Sequence, residues 1–286
     1  MKITESCYEA TGHTSIICDF SPPRSGNPAV VEQAQIDADF ISVAYNPGRA
    51  VRTNSAMLAA AIQRSGKDAV FTMATRDMNK LALQSQLLGA QVLGLQSVVV
   101  VQGDPFGEQD QTRVASVNDY HPTGLIAAIA QMNQGVDFKE SNLRLPTDFC
   151  IGATIDLNRG IEEEAQLAVR KVQAGAEFLI TQPIFDVDHV ARYRESYAYH
   201  AGKAGTLPIY FGLQILEKDG VLFSFVPESV RGELEEGRSG VEIALELYQR
   251  FQDARLNNIY LMPPIKRGGA RNYDAAKEFL SRIIRN

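Results

Sequence analysis

Short apolar runs rich in Val, Ile and Phe alternate along the chain with longer stretches of helical period. The runs are Ser15–Phe20, Phe40–Tyr45, Ala69–Ala74, Val98–Val101, Phe149–Ala153, Phe178–Thr181, Ile209–Leu213 and Asn258–Met262. They lack the strict alternation of half-exposed strands and read as parallel strands buried on both faces. Between them, Ile161, Ala165, Ala168 and Val172 recur at helical spacing, and Glu162 to Glu164 fill the first turn, where the helix dipole favours acids. Gly175 suits the end of that helix. The same period runs through Ala56–Ile62 and through Val241, Ala244, Leu245 and Tyr248, while Asn272 opens a last helix carrying Ala276, Phe279 and Ile283 inward. Eight such strand–helix pairs predict an α/β chain folded as a single (β/α)8 TIM barrel, one domain spanning 1–286. The rival is an open doubly wound sheet. No G-x-G-x-x-G follows the first run and no P-loop occurs, which removes the usual reasons for it. The polar stretches Asp104–Tyr120 and Asp219–Gly240 read as loop insertions.

Composition narrows the class. The 28 basic and 34 acidic side chains leave a net charge of −6, the wrong sign for a nucleic-acid binder. No apolar run approaches the roughly 20 residues of a membrane helix. The first residues are polar and carry acids where a signal peptide has a basic end and an apolar core. Three widely spaced cysteines, Cys7, Cys18 and Cys150, support neither a disulfide framework nor a zinc site. A cytoplasmic protein without a structural metal is the expectation.

In a barrel, chemistry belongs at the C-terminal ends of the strands. Those positions hold Asp19, Tyr45-Asn46, Thr75-Arg76-Asp77, Gln102-Gly103-Asp104, Asp156, Gln182, Gln214 and Pro263-Pro264. Amides that both donate and accept suit a heteroaromatic ring with a mixed edge, such as a pterin or a flavin. Carboxylates in a partly dry mouth can serve as proton donors. Any one of these acids could instead cap the following helix.

Five segments carry a resemblance: Cys18-Asp-Phe-Ser-Pro-Pro-Arg24, Ile41-Ser-Val-Ala-Tyr45, Ala74-Thr-Arg-Asp-Met-Asn79, Val100-Val-Gln-Gly-Asp-Pro105, and the run from Lys171 to Pro183. In this order, and closing on Tyr260-Leu-Met-Pro-Pro264, the chain resembles methylenetetrahydrofolate reductase, in wording nearest the branch found beside methyltransferase domains. The resemblance implies a cytoplasmic flavoprotein oxidoreductase of one-carbon metabolism and methionine biosynthesis. It would interconvert 5,10-methylenetetrahydrofolate and 5-methyltetrahydrofolate, with FAD as cofactor and NADH or NADPH as electron donor. The flavin would supply the redox chemistry and the protein the positioning. Opening the methylene bridge needs a proton on an amine nitrogen, and the family's glutamate for that step corresponds to Asp19. Asp104 corresponds to the aspartate over the flavin and pterin, Gln182 to the glutamine at the pterin edge, and Arg170 and Lys171 to the basic pair on the cofactor. Ala44, Tyr45, Thr72, Thr75, Gln102, Gly103 and Ala153 fall where the family contacts its flavin, and Gln214 is a further substrate contact.

Departures cluster at these positions. Asp19 is one methylene shorter than the glutamate, withdrawing the acid by about 1.5 Å. Ala44 replaces a threonine, Thr72 stands for a frequent histidine, Gln102 for a frequent arginine, and Asp156 lies where the branch reads Asn-Pro. A shift of about an ångström in a catalytic group can cost around a hundredfold in rate. Three readings follow: a working reductase; a relative with a changed donor, direction or one-carbon substrate; or a non-catalytic folate- or flavin-binding partner of a methyltransferase or corrinoid protein. Association with further copies of itself stays open. The Arg267-Gly-Gly-Ala-Arg271 stretch could hold a phosphate, as in phosphosugar barrels, and surface turn chemistry explains it equally well.

Overall fold

The computed structural model describes residues 1–6, 14–222 and 225–283; Cys7 lies outside them. Eight parallel strands close in sequence order: β1 (Ser15–Phe20), β2 (Phe40–Val43), β3 (Ala69–Ala74), β4 (Ser97–Val101), β5 (Cys150–Ile155), β6 (Phe178–Pro183), β7 (Ile209–Gln214) and β8 (Asn258–Met262). The last returns to the first with Ile16 opposite Ile259 and Cys18 opposite Leu261. Around them run α1 (Val30–Gln33), α2 (Ser55–Arg64), α3 (Lys80–Val92), α4 (Glu108–Gln111), α5 (Pro122–Asn133), α6 (Ile161–Gln173), α7 (Asp188–Ala201), α8 (Glu228–Glu235), α9 (Gly240–Asp253) and α10 (Tyr273–Arg282). The chain is a (β/α)8 barrel. Several helices start as their sequences dictate: the Asn54, Asn79 and Asn272 side chains accept backbone N–H groups of Met57, Ala82 and Ala275.

Burial on both faces explains the unbroken apolar strands. Ile17, Phe40, Val70, Val99, Cys150, Phe178 and Tyr210 fill the lumen, while Ile16, Cys18, Ile41, Phe71, Val98, Ile151 and Phe211 pack under the helices. Each such side chain contributes roughly 1.5–3 kcal/mol of burial. The lower end is closed by the turn Ile3–Glu5: Ile3 is fully buried in the lumen cluster and its N–H donates to Ser97 Oγ at 3.3 Å. The opposite end, at the C-termini of the strands, is where a site is built in this fold.

Strand parity then sets what that end presents. Ile17 inward on β1 places Asp19 inward one layer higher, as Phe40 does for Ser42 and Ile180 for Gln182, and Tyr210 places Gln214 inward two layers higher. Three details differ from the sequence expectation. Strand β2 stops at Val43, because Asn46 turns the chain with φ 40°. Both polar insertions carry a helix: α4 lies within Asp104–Tyr120 and α8 within Asp219–Gly240. Among the described residues no helix is long and apolar enough to cross a membrane.

Candidate functional site

Asp19 is buried at the upper rim and both its oxygens are engaged. Oδ2 receives Arg271 Nε at 2.8 Å, and Oδ1 receives the Tyr260 hydroxyl at 3.0 Å. Both side chains of the ion pair are nearly sealed, 4% exposed for Arg271 and 6% for Asp19. Arg271 reaches the rim because the chain beyond β8 folds back, bridging Ile265 to Arg271. Burial opposes the Arg271 charge, but Asp19 beside it outweighs that and raises its pKa. Burial, reinforced by the Asp19 charge, pushes the Tyr260 phenol well above its ordinary range, and Ser42 hydrogen-bonds the same phenol. Tyr273, stacked on Phe20 at 4.8 Å, is raised for the same two reasons. The rim is a carboxylate surrounded by protonated donors.

Next along the wall stand two amides. Between Ile180 and Pro183 the β6–β7 register shifts, and Gly212 N–H donates to Thr181 Oγ1 at 2.8 Å. A Cβ on Gly212 would lie 2.6 Å from the Gln182 carbonyl, so only glycine permits the two strands to meet there. Gln182 is half-buried above this irregularity. Gln214 is 2% exposed, and its Oε1 is buried with no hydrogen-bond partner among the described residues. An unpaired buried acceptor costs about 1–3 kcal/mol. From β6 through β7 and β8 to β1, the inward groups are Gln182, Gln214, Tyr260 and Asp19, an arc of adjacent strands.

The β2–β4 side has a different character. Arg76, 5% exposed, sends Nε and Nη2 to the two Asp77 oxygens at 2.5 and 2.8 Å and Nη1 to the Asp104 carbonyl at 2.5 Å. Its guanidinium lies 4.1 Å from the Phe106 ring centroid. Tyr45 hydrogen-bonds Asp77, and burial together with that carboxylate pushes its phenol up to about 12. Gly103, at φ +86°, would place a Cβ 3.3 Å from Arg76 Cβ, so the arginine stem is packed onto the loop. Thr75 is buried, Thr72 nearly so, Ala44 is half-buried and offers no polar side chain, and Gln102 and the Asp104 side chain are exposed.

The residues expected on a cofactor therefore do not share a face. Ala153 is fully buried in the layer beneath the helices. Arg170 is exposed on α6, whereas Lys171 is buried and its Nζ donates to the Thr154 carbonyl at 2.5 Å. Burial lowers the Lys171 pKa. Asp156 accepts from Asn158 and pairs with Arg159 at 3.2 Å, which ties down its own loop. Arg271 is committed to Asp19, so the 267–271 stretch does not present it to a phosphate. Tested against a flavin, the site does not fit. The Arg76 and Tyr45 donors at the β2–β4 ends are committed to protein acceptors, and Arg76 with Phe106 fills the space beside Gly103. The arc from Gln182 to Asp19 instead brings together two amides, a phenol and a carboxylate, with Gln214 Oε1 unpartnered among the described residues. Tyr260 and the Arg271 partnership went unread in the sequence. The inward parity of β8 could have flagged Tyr260; nothing local could have flagged Arg271. Two surface clefts, one lined by Leu179, Tyr193, Tyr197 and Ile209 and one between α6 and α7, lie away from this rim.

A closed eight-stranded parallel barrel with a polar C-terminal rim and an apolar floor defines the (β/α)8 class. Within it, the sequence matches the family model for methylenetetrahydrofolate reductase over residues 4–221, and the chain belongs to that family. Among solved structures, it is similar to an uncharacterized protein from Clostridium thermocellum that binds two copies of 5-methyl-5,6,7,8-tetrahydrofolic acid. The TM-score is 0.65 at 12% identity, covering 95% of this chain and 96% of that one. A lyase/mutase-like protein from Burkholderia cenocepacia follows at TM-score 0.47 and 15% identity, covering 96% and 82%. At 12% identity the likeness to the Clostridium thermocellum protein speaks for the barrel alone.

Proposed function

We propose that the chain binds a reduced folate at the C-terminal rim and acts on it at the methylene/methyl oxidation level, with NADH or NADPH as electron donor. The observation that carries this reading is the arc Gln182–Gln214–Tyr260–Asp19, and above all the unpartnered Gln214 Oε1. A pterin edge offers amino and ring N–H groups in the pattern such an arc accepts. Family membership and the folate-binding structural neighbour point the same way.

Proton handling falls to Asp19 and Tyr260 together. The resemblance casts Asp19 as the donor to the amine nitrogen, yet in the resting site both its oxygens accept hydrogen bonds. The Tyr260 phenol is the standing donor to Asp19, whose oxygens each keep a further lone pair. Asp104 stays at the rim, its backbone fixed by Arg76.

Isothermal titration of the full chain with 5-methyltetrahydrofolate tests the reading. Saturable binding that weakens in Gln214→Leu is expected. No heat at millimolar folate would end it. Binding without NADH- or NADPH-linked turnover of 5,10-methylenetetrahydrofolate would leave a folate-holding partner protein instead.

A further inference from the structure

The β2–β4 ends carry a self-contained cluster that takes in Tyr45, Thr75, Gly103 and Asp104, four of the positions at which the family resemblance expects a flavin. Asp77 holds Tyr45 on one side and the Arg76 guanidinium on the other. Arg76 in turn holds the Asp104 carbonyl and packs its stem against Gly103. The planar guanidinium stacks on Phe106 at 4.1 Å, much as one flat ring system stacks on another. Thr75 and Arg76 extend the β3–β4 ladder, their N–H groups donating to Val101 and Gln102 carbonyls at 3.1 Å, so the stem of this arginine is anchored on strand backbone. Val117 N–H, from the following polar loop, donates to the Arg76 carbonyl at 2.7 Å and ties the cover down.

Two of the groups expected on a flavin, the Tyr45 phenol and the Asp104 backbone, are thus engaged within the protein. Arg76 is 5% exposed, so it is a buried cation with its charge and donors satisfied internally. Displacing it would strand Asp77 and expose Phe106 together. The basic residue expected to meet a cofactor from α6, Lys171, is turned inward to the Thr154 carbonyl. The loss of polar contacts at Ala44 and Gln102 and the internal stacking at Arg76 thus describe one change.

We propose that Arg76, Asp77 and Phe106 fill the flavin position of the family, and that this chain holds its folate with no flavin beside it. The inference rests on the folate reading of the same rim and adds that the neighbouring slot is closed by protein.

The test uses the full chain. The protein as isolated, and again after incubation with excess FAD and desalting, is expected to show no visible flavin band while binding 5-methyltetrahydrofolate by calorimetry. The Arg76→Ala/Phe106→Ala variant is expected to quench FAD fluorescence with at least about tenfold tighter affinity than the unaltered chain. Stoichiometric flavin retained by the unaltered chain would overturn the inference, as would a double variant that still binds folate yet gains no FAD affinity. Absence of folate binding in the unaltered chain would instead count against the function proposed above.

Discussion

Asp19 and Arg271 lie 252 positions apart in the chain and meet at 2.8 Å, joining the first strand to the segment that follows the last. The pair is the electrostatic centre of the rim and also part of the seam where the barrel closes.

Removing one member leaves the other buried and uncompensated. Arg271→Leu is expected to lower unfolding free energy by about 3–5 kcal/mol. The double variant Asp19→Leu/Arg271→Leu should recover part of that loss, because no lone charge remains. Urea unfolding of the four proteins in the cycle checks this, and strictly additive losses would mean the pair does not act as a unit.

Gln214→Leu should act with opposite signs on stability and binding. Without ligand, it removes a buried unpaired acceptor and should stabilise by about 1 kcal/mol. With ligand, it removes the partner for a pterin donor and should weaken 5-methyltetrahydrofolate binding about tenfold. Thermal unfolding with and without folate reads both effects.

Asp19→Asn keeps the side-chain shape but cannot accept a proton as a carboxylate does. Turnover of 5,10-methylenetetrahydrofolate should fall by about a hundredfold or more, while 5-methyltetrahydrofolate still binds. Full turnover in the variant would remove Asp19 from proton handling. Gln182→Ala should raise the folate dissociation constant and leave the fold unchanged by circular dichroism.

Alkaline stability should report the rim phenols. Tyr45, raised from 10.0 to about 12 by burial and Asp77, keeps its proton in the folded chain while the unfolded chain loses it. The folded state then binds more protons across that window. Stability is complete below pH 10 and declines toward pH 12. Tyr45→Phe should make the decline shallower without abolishing it, since Tyr193, Tyr260 and Tyr273 are raised in the same direction.

The barrel was legible because parallel strands buried on both faces write themselves as solid apolar runs. All eight runs fall within two residues of the observed strands at either end, and β2 overran by two because Ala44 and Tyr45 are apolar enough to continue it. Helix α8 was unreadable for the converse reason: of its residues only Leu234 is buried, so it carries no apolar stripe. At the rim, Asp19, Gln182 and Gln214 could be found by counting strand ends. Lys171 could not be placed, since a solvated helix face was the natural reading; its long stem instead runs inward to a strand carbonyl. Arg76 and Arg271 depend on loops that double back, and a linear pattern holds no record of such returns.

The β1–β8 seam has a bearing on biosynthesis. Residues 15–18 must wait for residues 258–261 before their outer hydrogen bonds form. A nascent chain released before that point would expose two open sheet edges, on β1 and β7, each able to recruit a stray strand. Correct assembly therefore hinges on the synthesis of β8, and premature termination before it should yield aggregates instead of a smaller working barrel.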